Sequence, residues 1–89
     1  MHHQSTYSTN GDLVLSLSGE MDAHGCNQIK SILEEIVNSV QTPNVLLDLN
    51  DIEFIDSSGI GAIVYLFKRL KAQHQTLVIR GVHGQPKEL

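Results

Sequence analysis

The chain's 89 residues suit one domain, which can bury only roughly 60 to 65% of the surface its unfolded form exposes, and with 40% hydrophobic residues but two Phe, two Tyr and no Trp its core must be built from Leu, Ile and Val. Six Lys and Arg against ten Asp and Glu leave a net charge of −4, which removes the phosphate attraction that dominates nucleic-acid affinity and excludes DNA or RNA as the expected partner. One cysteine, Cys26, excludes an internal disulfide or a multi-cysteine zinc site, no apolar run is long enough for membrane insertion, and the N-terminus lacks a signal-peptide layout, so a cytoplasmic setting is expected.

Residues 1 to 4 read as a flexible N-terminus. From Gln4 to Gly19 the pattern has period two, with Leu13, Leu15 and Leu17 on one face and Val14, Ser16 and Ser18 on the other, the mark of a half-buried strand. Asn10 and Gly11 just before it favour a type I′ turn, so Ser5 to Thr9 is expected to fold back as a short first strand. From Asp22 to Val40 the period becomes helical: Cys26, Ile29, Ile32, Leu33, Ile36, Val37 and Val40 make one apolar stripe, opposite Lys30, Glu34 and Asn38. Asp22 is the expected N-cap, and Thr42 and Pro43 end the segment.

Val45 to Leu49 is short and almost wholly apolar between Asn44 and Asn50, which predicts an interior strand covered on both faces. A second helix is predicted from about Ser58 to Gln73, with Ile60, Ile63, Val64, Phe67 and Leu70 inward and Lys68, Arg69 and Lys71 late, where cations suit the dipole. Thr76 to Val82 reads as a last strand, and residues 83 to 89 as a C-terminal element cut short. Strand, strand, helix, strand, helix, strand implies an α/β fold, a mixed sheet of about four strands with right-handed crossovers and helices packed on it.

Chemistry concentrates where Asp56, Ser57, Ser58, Gly59, Ile60 and Gly61 join a strand to a helix, because unpaired backbone N–H groups and the helix dipole together favour an anion there. Ser57 is placed to cap the helix through the N–H of Gly59 or Ile60. Gly59 and Gly61 each cost a helix interior roughly 1 kcal/mol against alanine, which suggests an end left bare for another protein to approach. Asp51 and Glu53 read as solvated loop carboxylates, whereas Asp22 and Asp56 lie at the two helix starts. The histidines show no triad spacing with either serine, and both a nucleophile elbow and a Walker loop are missing, so neither an enzyme nor an ATP-binding protein is expected. Cys26, spaced with the apolar stripe, reads as a structural thiol, and His2 and His3 as incidental; no cofactor or metal is called for.

The run Asp56, Ser57, Ser58, Gly59, together with Gly19, Glu20, Met21, Asp22 closing the earlier strand, resembles the STAS domain of bacterial anti-sigma factor antagonists over about residues 10 to 82. The resemblance implies a non-enzymatic module whose Ser57, ahead of Ser58, is phosphorylated by a GHKL-type serine kinase that is also the anti-sigma factor, and is dephosphorylated by a PP2C-type phosphatase. It implies that the unmodified form occupies the anti-sigma factor and frees sigma, through a surface that includes Asp22, Asp56, Ser57, Ser58, Gly59, Ile60 and Gly61. A second reading is a constitutive subunit like the small STAS partner of lipid-transporting ABC ATPases, although that group resembles Asp-Thr-Gly-Gly where this chain has Asp-Ser-Ser-Gly. The family commonly continues with another helix and often a strand beyond the point where this pattern stops, so the expectation is either a sheet face completed by a partner or by a second copy, as a homodimer, or a compact variant that leaves an apolar patch of the kind that marks interaction sites.

Overall fold

A computed structural model describes residues 1 to 87. Its elements run β1 (His2–Tyr7), β2 (Leu13–Met21), α1 (Ala23–Ser39), β3 (Asn44–Ile55), α2 (Ser57–Ala72), β4 (Thr76–Arg80) and the single turn α3 (Gly84–Lys87). The sheet has four strands in the order β1-β2-β3-β4; β1 is antiparallel to β2 and the other pairs are parallel. The α/β expectation holds, and strand order equal to chain order is the simplest outcome of repeated crossovers of one hand.

That order also decides where the helices lie. Two like-handed crossovers that advance in one direction put both helices on the same face, with α1 over β2 and α2 beside it over β3 and β4. The core is therefore a single layer between sheet and helices, filled by Leu13, Leu15, Leu17, Val45, Leu47 and Leu49 from the sheet and by Ile29, Leu33, Ile36, Val37, Leu66 and Leu70 from the helices. Among the described residues, the expected cover on both faces of β3 is absent. Leu46 and Asp48 on its other face are only half-buried, and Val78 beyond them is exposed.

Three boundaries differ from the sequence reading. Residues read as a flexible terminus are paired, because β1 starts at His2, opposite Ser18, and the Met1 amine donates to the Gln28 side chain at 2.6 Å. The hairpin turn is not type I′: the Ser8 N–H donates to the Asp12 carbonyl (2.9 Å) and the Gly11 N–H to the Ser8 carbonyl (3.0 Å), and only Gly11 takes a positive φ, of 88°. This is a three-residue loop with glycine in the left-handed position.

The third difference matters for the site. β3 does not stop at Leu49 but continues to Ile55, with irregular register against β2 between Ser16 and Ser18 and again between Gly19 and Glu20. Asn50 sits at the first irregularity, its N–H taken by the Asp48 carboxylate at 3.0 Å, so residues that read as a turn form a bulge. Asp51 and Glu53 are thus exposed strand residues rather than loop residues. Of the expected element over 83 to 89, residues 84 to 87 form α3, and Glu88 and Leu89 lie outside the described residues.

Candidate functional site

Strands β2 and β3 run parallel and end side by side, Met21 opposite Ile55, with the Asp56 N–H donating to the Met21 carbonyl at 3.3 Å. Each strand passes directly into a helix, so the N-termini of α1 and α2 emerge together at the carboxyl edge of the sheet, where open α/β folds place their sites. An aspartate caps each helix in the same way. Asp22 accepts from the Gly25 N–H at 2.7 Å, and Asp56 accepts from the N–H groups of Ser58 (2.8 Å) and Gly59 (3.4 Å).

The cap of α2 is therefore Asp56 and not Ser57, which corrects the sequence reading. Ser57 is the first helical residue, exposed, with its hydroxyl free of the capping task. The two serines also face different ways. Ser57 lines a hollow of about 460 Å³ with Phe54, Ile55, Asp56, Ile60 and Gln85, whereas half-buried Ser58 lines a groove of about 380 Å³ between α1 and α2, beside Cys26, Lys30 and Tyr65.

The two glycines of the motif part company as well. Gly59 is buried, and a Cβ there would lie 2.4 Å from the Ile55 side chain and 2.6 Å from the Met21 carbonyl, so its bareness admits the neighbouring strand rather than a partner. A partner therefore has no direct access to Gly59, which corrects its place on the expected surface. Gly61 is exposed, with nothing within 4 Å of such a Cβ, and Ile60 beside it is also exposed. Of the expected site residues, Asp22, Asp56, Ser57, Ser58, Ile60 and Gly61 gather at this end of the sheet with some surface open, and Gly59 supports them from beneath.

Two residues that the sequence reading passed over help build the site. Gly25 is the twin of Gly59: a Cβ on it would lie 2.1 Å from the Glu20 carbonyl. The repeated spacing Asp-x-x-Gly, in Asp22 to Gly25 and Asp56 to Gly59, was the signal available for it. Gln85 of α3 grips the last residue of β3 from both sides, its amide oxygen accepting from the Ile55 N–H (2.8 Å) and its NH₂ donating to the Ile55 carbonyl (2.9 Å). It supplies what an adjacent strand would supply there, and no local pattern announces it.

Electrostatics at this edge are acidic, from Glu20, Asp22, Glu53 and Asp56. Burial pushes the Cys26 thiol above its ordinary value, and the carboxylates of Asp56 and Asp22 push it further up. A thiol held protonated is a poor nucleophile and a poor metal ligand. His24 meets Gln28 and His83 meets the Asn50 carbonyl; neither is hydrogen-bonded to Ser57 or Ser58.

Comparison with known proteins agrees with this geometry. The model of the STAS domain family matches residues 3–89. An anti-sigma F factor antagonist of Paenibacillus polymyxa is 29% identical over 73 residues, which are 82% of this chain and 62% of that protein. This chain thus spans about three fifths of that relative's length. Among solved structures, the anti-sigma factor antagonist SpoIIAA in its unphosphorylated form superposes with a TM-score of 0.76 at 21% identity, over 98% of this chain and 79% of that one. The Bacillus SpoIIAA in its phosphorylated form gives 0.68 at 24% identity, over 85% of this chain and 68% of the other. At these identities the structures speak for the shared fold.

Proposed function

The chain belongs to the STAS domain family, and from that premise we propose that it is an anti-sigma factor antagonist, a non-enzymatic binding module whose state is set by phosphorylation of Ser57. The observation that carries the reading is the position of Ser57: exposed at the first residue of α2, its hydroxyl released by the Asp56 cap, in a hollow walled by Phe54 and Ile60. A kinase can reach that hydroxyl without unfolding the helix. Relatives named as antagonists, and a superposable antagonist known in a phosphorylated form, support the same reading.

In this account the unmodified module docks on an anti-sigma factor of the GHKL serine-kinase type through the exposed residues around Ser57, and a PP2C-type phosphatase restores the docking state. The exposed side chains of Phe54 and Ile60 give the surface an apolar centre, and the acidic residues of this edge, Asp22 and Glu53, favour a basic border on the partner. A phosphoserine brings roughly −1.5 to −2 charges into that apolar centre. Desolvating such a charge without a partner costs on the order of 2 to 5 kcal/mol, which weakens binding about thirty-fold to a few thousand-fold.

Fold stability changes far less. At the first turn the dipole favours the phosphate by roughly 0.3 to 1 kcal/mol, while the adjacent Asp56 carboxylate opposes it by a comparable amount. The test is phosphate transfer from ATP by the cognate kinase. Labelling is expected to vanish in Ser57→Ala and persist in Ser58→Ala; the reverse pattern would move the site into the α1–α2 groove and overturn the assignment.

A further inference from the structure

Among the described residues β1 is an outer strand of the sheet, and all six of its residues are exposed. α3 packs on β3, and β2 lies between them and this edge. An open edge is a template for another strand, and proteins that stay single blunt it with lysine or other charges, proline or a bulge. β1 reads His-His-Gln-Ser-Thr-Tyr, with no lysine, acid or proline, and its pairing with β2 runs without irregularity from His2 to Tyr7.

The hairpin fixes which backbone groups of this strand stay free. The Ser8 N–H donates to the Asp12 carbonyl, so the residues that bond to β2 are Ser8 and, stepping by two, Thr6, Gln4 and His2. The N–H and C=O groups of His3, Ser5 and Tyr7 therefore point away from the sheet. Two antiparallel copies of β1 can bond only where residues of that set stand opposite one another. A pairing centred on Ser5 puts Ser5 opposite its own image and His3 opposite Tyr7 of the second copy, so every free group of the strand is used. Centring on Gln4 leaves Tyr7 without a strand partner, and centring on Thr6 leaves His3 without one.

We propose that β1 joins two copies of this chain about a two-fold axis at Ser5, making one continuous sheet of the two four-stranded ones. The side chains suit this register. His3, Ser5 and Tyr7 stand opposite Leu17, Leu15 and Leu13, which puts them on the helix-covered face. There Tyr7, 63% exposed in the single chain, gains His3 of the second copy as its cross-strand neighbour, while Gln4 and Thr6 pair on the other face. With strands about 4.8 Å apart, β2 and its image are about 14 Å apart, beyond the 8 to 10 Å of packed helices, so the two α1 helices clear each other. The axis is perpendicular to the sheet, so the two Ser57 edges lie at opposite ends of the assembly and both stay open. The pairing thus stands independently of the role proposed for Ser57.

The test is sedimentation equilibrium of the chain up to about 1 mM, where a contact of one short strand is expected to give a weak dimer. Ser5→Pro removes an N–H that β2 does not use, at a place where an edge strand accepts proline, and is expected to weaken the dimer at least about ten-fold with the parent's circular dichroism retained. Ser5→Lys and Ser5→Glu each set like charges against one another at the axis. Each alone is expected to be monomeric where the parent dimerises, and their equimolar mixture to dimerise again. In amide exchange, His3, Ser5 and Tyr7 are expected to gain protection as concentration rises, and Gln4 and Thr6, already bonded to β2, to change little. A parent that stays monomeric over that range, a dimer that survives Ser5→Pro, or single-charge variants that associate as well as the parent would overturn the proposal. Failure of the mixture to dimerise, or protection gained at Gln4 and Thr6 instead, would overturn it equally.

Discussion

Replacing Gly59 with alanine adds one methyl group where the structure has no room for it. The new carbon would stand 2.4 Å from Ile55 Cγ1, 2.6 Å from the Met21 carbonyl oxygen and 2.8 Å from Met21 Cβ. The carbonyl cannot swing away freely, because it accepts the Asp56 N–H that holds the ends of β2 and β3 together. Overpacking of this kind costs about 1 to 3 kcal/mol, at the upper end where backbone must move, and the better helix propensity of alanine returns at most about 1 kcal/mol. Gly61, two residues along, has nothing within 4 Å of the same carbon and a negative φ, so there the propensity gain stands alone. With roughly 5 °C per kcal/mol for a domain of this size, thermal unfolding followed by circular dichroism should put Gly59→Ala about 5 to 10 °C below the parent and Gly61→Ala about 2 to 5 °C above it. A neutral Gly59→Ala, or loss of stability in Gly61→Ala, would refute the packing argument for this junction.

Further outcomes follow from the same edge of the sheet. Asp56→Ala removes the acceptor of the Ser58 and Gly59 N–H groups and should cost about 0.5 to 2 kcal/mol in urea unfolding, with Asp22→Ala similar through Gly25. Gln85→Leu strips partners from both backbone groups of Ile55; a loss of about 1 to 3 kcal/mol is expected, with faster amide exchange concentrated at Ile55. The raised Cys26 thiol should react with a disulfide reagent at pH 8 more slowly than the same thiol in urea. Asp56→Asn, which removes an anion that disfavours the thiolate, should be faster than the parent, and an unchanged rate would contradict the coupling.

Much of the fold was legible because period and burial coincide in its strongest elements. Leu13, Leu15 and Leu17 alternate and are buried, and Ile29, Leu33, Ile36 and Val37 mark the inner face of α1, capped by Asp22 as its residue type suggests. Ambiguity entered where one residue type serves two structures. Asn50 and Asp51 favour turns, but a bulge uses the same residues, and only the pairing of β2 with Ile52 to Ile55 keeps the chain in the sheet. Asp56 and Ser57 are both good caps; the choice falls to Asp56 because the rung to Met21 releases the chain into helix at Ser57. On α2 the apolar residues cover more than one flank, so the helical period alone could not say which flank finds neighbours. Among the described residues, Ile60, Val64 and Phe67 lie on the one that does not. The grip of Gln85 on Ile55 is a contact across 30 residues, to which no local pattern points.

The most direct measurement is the affinity of the cognate anti-sigma factor for the unmodified chain and for the chain stoichiometrically phosphorylated on Ser57, by titration calorimetry, with thermal melts of both forms. The account predicts binding at least about thirty-fold weaker after phosphorylation, with melting temperatures that agree within about 5 °C. Equal affinity of the two forms, or a phosphorylated chain that has lost its fold, would contradict it.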